Sequence, residues 1–99
     1  MVGPNTNPYT VALPAGTWVK VATAMQDVTI KTSITNPKFY LFDQVDTGLA
    51  APANDDNAIQ FPDSRKVSIE STVAKDFYCK AIGAAGEVIV WENCLVYYT

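Results

Sequence analysis

Residues 27–35, DVTIKTSIT, alternate without a break: Val28, Ile30, Thr32 and Ile34 fall on one side of an extended chain, and Thr29, Lys31, Ser33 and Thr35 on the other. Period-two spacing carried largely by β-branched residues suits a pleated, half-buried surface. It does not suit a helix, whose faces repeat about every 3.6 residues. No stretch of about ten residues elsewhere carries helical periodicity. An all-β chain follows, and further strands are expected at residues 17–22, 38–42 (KFYLF), 58–61, 65–71 (RKVSIES), 76–82, 87–91 and 94–99 (CLVYYT).

Turn chemistry separates these runs: Pro14-Ala15-Gly16, Asn36-Pro37 and Gly83-Ala84-Ala85-Gly86. The last joins two apolar runs, DFYCKAI and EVIVW, which are expected to close as a hairpin. A tip at Ala84 and Ala85 would set Cys79 opposite Val90 and Tyr78 opposite Trp91. Phe77, Cys79, Ala81, Val88 and Val90 would face the core; Tyr78, Lys80, Ile89 and Trp91 would face outward. KFYLF is apolar on both faces, so it is expected either to be central in a two-layer fold or to be covered by another subunit. Residues 43–62 read as a long irregular loop around Gly48, Pro52 and the cluster Asn54, Asp55, Asp56 and Asn57.

With 99 residues there is room for one domain, and folding at this size buries about 60–65% of the surface the unfolded chain exposes. Apolar residues make up 48% of the chain and charged residues 17%, which supplies enough core material to exclude intrinsic disorder. The start, MVGPNTNPYT, has two prolines, two asparagines and no periodicity. Residues 1–9 are therefore expected to form an extended arm and residues 10–99 a single small β-sandwich or jelly-roll-like barrel of about seven to eight short strands.

The chemistry available is narrow. There is no histidine, which removes Ser-His and Cys-His nucleophile pairs and histidine metal sites. Cys79 and Cys94 have neither zinc spacing nor an activating partner nearby, and read as buried reduced thiols. The carboxylate pairs Asp43/Asp46, Asp55/Asp56 and Glu87/Glu92 could in principle serve glycoside hydrolysis, but a domain this small rarely builds the cleft that raises one carboxyl's pKa. Asn54, Asp55, Asp56, Asn57 and Asp63 could offer oxygens to Ca²⁺, although their spacing matches no EF-hand. Hence no catalytic residue, cofactor or metal is expected.

Net charge is −3, and the basic residues are scattered apart from Arg65-Lys66, so no basic stripe exists for a phosphate backbone. No apolar run reaches the ~20 residues of a membrane-spanning helix, and the start lacks the basic and apolar regions of a signal peptide, which reads as synthesis in the cytoplasm. Neither nucleic acid nor membrane is an expected partner. Trp18, Tyr40, Tyr78 and Trp91 could stack on sugar rings if exposed, so a carbohydrate-binding module is the alternative from another functional class.

At LPAGT (Leu13, Pro14, Ala15, Gly16, Thr17) and at Tyr78, Ala81, Ile82, Gly86, Val88 and Val90, the chain resembles small all-β structural proteins of tailed bacteriophages, in particular head decoration (cement) proteins and related minor virion proteins. The resemblance implies a virion component that binds the assembled shell through the major capsid protein or other virion subunits, commonly as a homo-trimer with an ordering N-terminal arm. A neck, tail or fibre-associated component fits the same pattern. On this reading, the interface residues are Pro4, Pro8 and Tyr9 of the arm with Phe39, Tyr40, Tyr78 and Trp91 of the strands.

Overall fold

The computed structural model describes residues 8–32, 39–61 and 66–93. Residues 1–7 with Pro4, 33–38 with Ile34, 62–65 with Asp63, and 94–99 with Cys94 and the expected last strand lie outside the described residues. The elements are β1 (Tyr9–Leu13), β2 (Val19–Thr32), β3 (Phe39–Asp46), β4 (Ile59–Phe61), β5 (Lys66–Ile82) and β6 (Gly86–Asn93). They form one sheet in the order β1-β6-β2-β5-β3-β4, with every strand pair antiparallel.

The all-β expectation holds, but the finer architecture differs. Among the described residues there are six strands in a single open sheet, not two sheets and not a closed barrel. The strand count falls because expected neighbours fuse. The runs at 17–22 and 27–35 share one 14-residue strand, β2, and the runs at 65–71 and 76–82 are one 17-residue strand, β5. Each long strand carries two partners along its length, which satisfies more backbone N–H and C=O groups than two short strands would.

The expected hairpin around Gly83–Gly86 does not form. β2 lies between β5 and β6, so Cys79 stands opposite Val19 and Phe42, Val90 opposite Tyr9 and Ile30, Tyr78 opposite Lys20 and Asp43, and Trp91 opposite Thr29. The Gly-Ala-Ala-Gly segment is an arch from one part of the sheet to another, and Gly83 takes the φ of +94° that begins it. The inward set of that stretch is nevertheless as read: Phe77, Cys79, Ala81, Val88 and Val90 are all fully buried.

The sheet is strongly coiled. In a flat sheet, strands three places apart are about 14 Å apart, at ~4.8 Å per step. Yet the Tyr40 hydroxyl on β3 lies 3.4 Å from the Glu87 carbonyl oxygen on β6, and Gly16, just past β1, donates its N–H to the Ala81 carbonyl on β5 at 2.8 Å. The coil brings apolar faces together over one core of Leu13, Val21, Val28, Ile30, Tyr40, Phe42, Phe77, Cys79, Val88 and Val90, with smaller Ala22 and Ala81 between them. Phe42 and Phe77 meet as tilted rings 5.7 Å apart, a geometry that adds about 0.5–1.5 kcal/mol beyond area burial.

The bend in β2 is built by irregular pairing with β5. Register shifts occur between Lys20 and Ala22, Ala22 and Met25, and Met25 and Asp27. Each bulge deepens local twist, which an open sheet needs if it is to wrap its own core. Ala24 within this stretch takes φ +53°, and is the one described non-glycine residue in the left-handed region.

Candidate interaction surface

Asp76 is a buried carboxylate held from three directions. Its side chain is 1% exposed; Oδ1 accepts the Ala24 N–H at 2.9 Å, Oδ2 accepts the Gly48 N–H at 3.2 Å, and Lys20 Nζ stands 3.3 Å from Oδ2. Burial by itself would push this carboxyl up; the two backbone donors and the Lys20 ammonium outweigh it and hold the group below its ordinary value. The Lys20 ammonium is raised in turn, chiefly by its hydrogen bond to Asp76, and also lies 5.9 Å from the centre of the Tyr78 ring.

Two further acids, Asp46 and Asp55, are tied into the surface. Asp46 pairs with Lys75, and Asp55 pairs with Lys80 at 2.8 Å. Lys80 also lies over the Trp18 ring, 5.4 Å from its centre. Residues 47–58 are thus fastened to β5 near both ends: by Gly48 on Asp76 and Thr47 Oγ1 on the Ala74 carbonyl at 3.1 Å, and by Asp55 on Lys80. Inside the loop, the Asn54 side chain accepts the Asp56 N–H at 3.0 Å and the Asp55 carbonyl accepts the Ala58 N–H at 3.1 Å, a locally bonded turn. Among the described residues, no group of three Asp, Glu or Cys side chains is placed to hold a metal ion. Asp43 to Asp46 belong to β3 and Ile59 to Phe61 to β4, so the irregular stretch is shorter than expected.

Tyr9 is not part of a free arm. It opens β1 opposite Val90, and its half-buried hydroxyl lies 2.6 Å from the Val21 carbonyl and 2.7 Å from Glu92 Oε2. Desolvation, with the Glu92 carboxylate beside it, pushes the phenol far above its usual pKa. Pro8 is exposed. Tyr40 and Tyr78 are buried within the chain, at 0% and 6% exposure, so neither offers a ring to a partner or a sugar. Phe39, Trp18 and Trp91 are half-buried. The described part of KFYLF is covered on both faces by its own chain, since Tyr40, Leu41 and Phe42 are all buried and Phe39 is half-buried. Cys79 is fully buried, and desolvation pushes its thiol far up, out of the nucleophilic range.

What sequence reading passed over are the large hydrophobics left outside. Leu49 in the loop, Ile59 on the terminal strand β4 and Val73 on β5 are 57%, 60% and 55% exposed. Leu49 directly follows Gly48, and Val73 directly precedes Ala74, so the Gly48–Asp76 and Thr47–Ala74 contacts gather both at one end of the sheet. A weak signal existed for Ile59, in a short strand beside an acidic loop. None existed for Leu49 or Val73, whose neighbours in sequence do not reveal a bulge or a loop anchor. No helix among the described residues is long and apolar enough to cross a membrane. No family model matches the chain, and neither a curated protein nor a solved structure matches it significantly.

Proposed function

We propose that the chain is a non-enzymatic structural subunit of a tailed-phage virion, one that binds and stabilises the assembled capsid shell as a decoration protein. The observation that carries this reading is the exposure of Leu49, Ile59 and Val73 beside a buried core. Apolar side chains of this size, held outside on an anchored loop, a sheet edge and a bulged strand, suit burial against another protein. The resemblance adds support, because the two stretches that carry it meet: Gly16 of LPAGT is bonded to Ala81. In this role the partners are the major capsid protein or other virion subunits, the working form is a homo-trimer, and the protein made in the host cytoplasm ends in the virion. Each interface adds stability to the shell by mass action, without turnover of any ligand.

The test is co-sedimentation with expanded tailed-phage shells, using the wild-type chain and the variants Leu49→Asp and Ile59→Asp. Saturable sedimentation of the wild type, and its loss in folded variants, is expected. A wild-type chain that stays in the supernatant, or variants that bind as it does, would overturn the reading.

A further inference from the structure

Three pieces of backbone converge on the Asp76 carboxylate: the β2 bulge at Ala24, the turn after β3 at Gly48, and β5, which carries Asp76 opposite Val45 and beside the irregular part of β2. We infer that Asp76 is a charge-dependent clasp, whose ionised form holds the β2 bulge and the start of the 47–58 loop as one unit, and whose neutralisation releases both together while the rest of the sheet stays paired.

The chemistry of the carboxylate carries this. An ionised carboxylate is an acceptor at both oxygens, and here each oxygen takes one backbone N–H, with the Lys20 ammonium as counter-charge. A protonated acid turns one of those oxygens into an O–H donor. One of the two N–H groups is then opposed by a donor, and Lys20 loses its counter-charge. Amides deprived of a buried acceptor seek water, so the segments that bear them move outward.

Both held segments have reason to move once freed. Ala24 sits at φ +53°, a conformation an alanine keeps only where its surroundings impose it. Gly48 sits at φ +87° with open space where a side chain would be, so its backbone has room on that side to move. Beyond Asp76, the Leu49 N–H on the Asp46 carbonyl, Thr47 on Ala74 and Lys80 on Asp55 hold the loop at exposed or partly exposed points. The ladders β1-β6, β2-β6 and β3-β5 do not pass through Asp76's side chain, so they survive its release.

Among the described residues, the charged groups beside Asp76 are these. Lys20 comes from β2; Asp46 from β3 and Lys75 from β5 are paired with each other nearby. Lys20, raised by its hydrogen bond to Asp76, stays cationic throughout acid titration, so it favours the ionised carboxylate and pushes release to lower pH. The clasp therefore stays shut at neutral pH and opens in acid, at a lower pH than the same carboxyl would need in the unfolded chain. The inference stands independently of the virion role, since it concerns the chain alone.

The experiment follows amide resonances of the intact chain by NMR from pH 7 to pH 2, with hydrogen exchange on wild type and Asp76→Asn at neutral pH. The Ala24 and Gly48 amides are expected to shift with one shared midpoint, while the amides of Val28, Ile30 and Val88 keep their positions. In Asp76→Asn, protection at Ala24 and Gly48 should fall at least tenfold together, with core protection retained. Separate midpoints for the two amides, no shift down to pH 2, or loss of the core amides in the same transition would each overturn it. Because the titration uses the wild-type chain, a variant that fails to fold leaves it decisive.

Discussion

The Tyr40 hydroxyl reaches to 3.4 Å from the Glu87 carbonyl oxygen across the core, although β3 and β6 stand three places apart in the sheet. That contact is possible only because β2 and β5 bend. Tyr40 is also paired with Ala81 and Phe61 along its own strand, so one side chain ties the folded-over part of the sheet to its base.

Truncating Tyr40 should therefore be costly, and truncating the exposed Ile59 of β4, which stands opposite Phe42, should not. Tyr40→Ala removes a fully buried ring and is expected to lose about 3–5 kcal/mol, enough to unfold a marginal domain of this size. Ile59→Ala, at an exposed position, should change stability by about 0.5 kcal/mol or less. Urea unfolding midpoints compare the two directly, and equal losses would show that the core is not where these contacts place it.

Asp76→Asn should cost about 1–3 kcal/mol at neutral pH, because a buried charge-assisted acceptor is replaced by a neutral amide that also points donors at N–H groups. The pH dependence has a definite sign. The folded-state pKa of Asp76 lies below its unfolded value, so its contribution is fully present above the unfolded pKa and is lost as pH falls through the folded one. Wild-type stability should decline below about pH 4, and the variant's curve should be flatter there, as read from denaturation midpoints across pH 2–7.

Ala24→Gly is expected to stabilise the chain by about 0.5–1 kcal/mol, since glycine adopts positive φ without the clash between Cβ and the backbone. Thermal unfolding reads this as a small rise in Tm. A fall would mean that the strand-like neighbours of Ala24 dominate its energetics.

Cys79 should resist alkylation in the native chain and react only on unfolding, because it is fully buried and its thiol is held protonated. Iodoacetamide labelling with peptide mapping separates Cys79 from Cys94. Labelling of Cys79 at the rate of a free thiol in the folded protein would contradict its burial.

Much of the fold was legible from spacing. Period-two alternation placed strand character at Val28 and Ile30, and the inward set Phe77, Cys79, Ala81, Val88 and Val90 followed from parity alone, which depends on the side chain's direction and not on the partner strand. Pairing was not legible. Gly83–Gly86 has the length and glycines of a hairpin turn, yet β2 fits between β5 and β6 because each then gains a second ladder, and a local turn signal cannot weigh that alternative. Tyr40 and Tyr78 look like surface aromatics by strand parity or by a two-faced apolar run, whereas the coil of the sheet and the packing over it bury both.

The sequence by itself determined strand class, the absence of imidazole chemistry and the inward face of the longest apolar runs, because these depend on residue type and on a period set by local backbone geometry. Only the tertiary structure decided which strands are neighbours, that Asp76 on β5 joins the β2 bulge to the turn after β3, and that Leu49, Ile59 and Val73 stay outside. Those outcomes come from non-local pairing, in which backbone hydrogen bonds are interchangeable between strands and the choice among them rests on how well the whole sheet can close over its core.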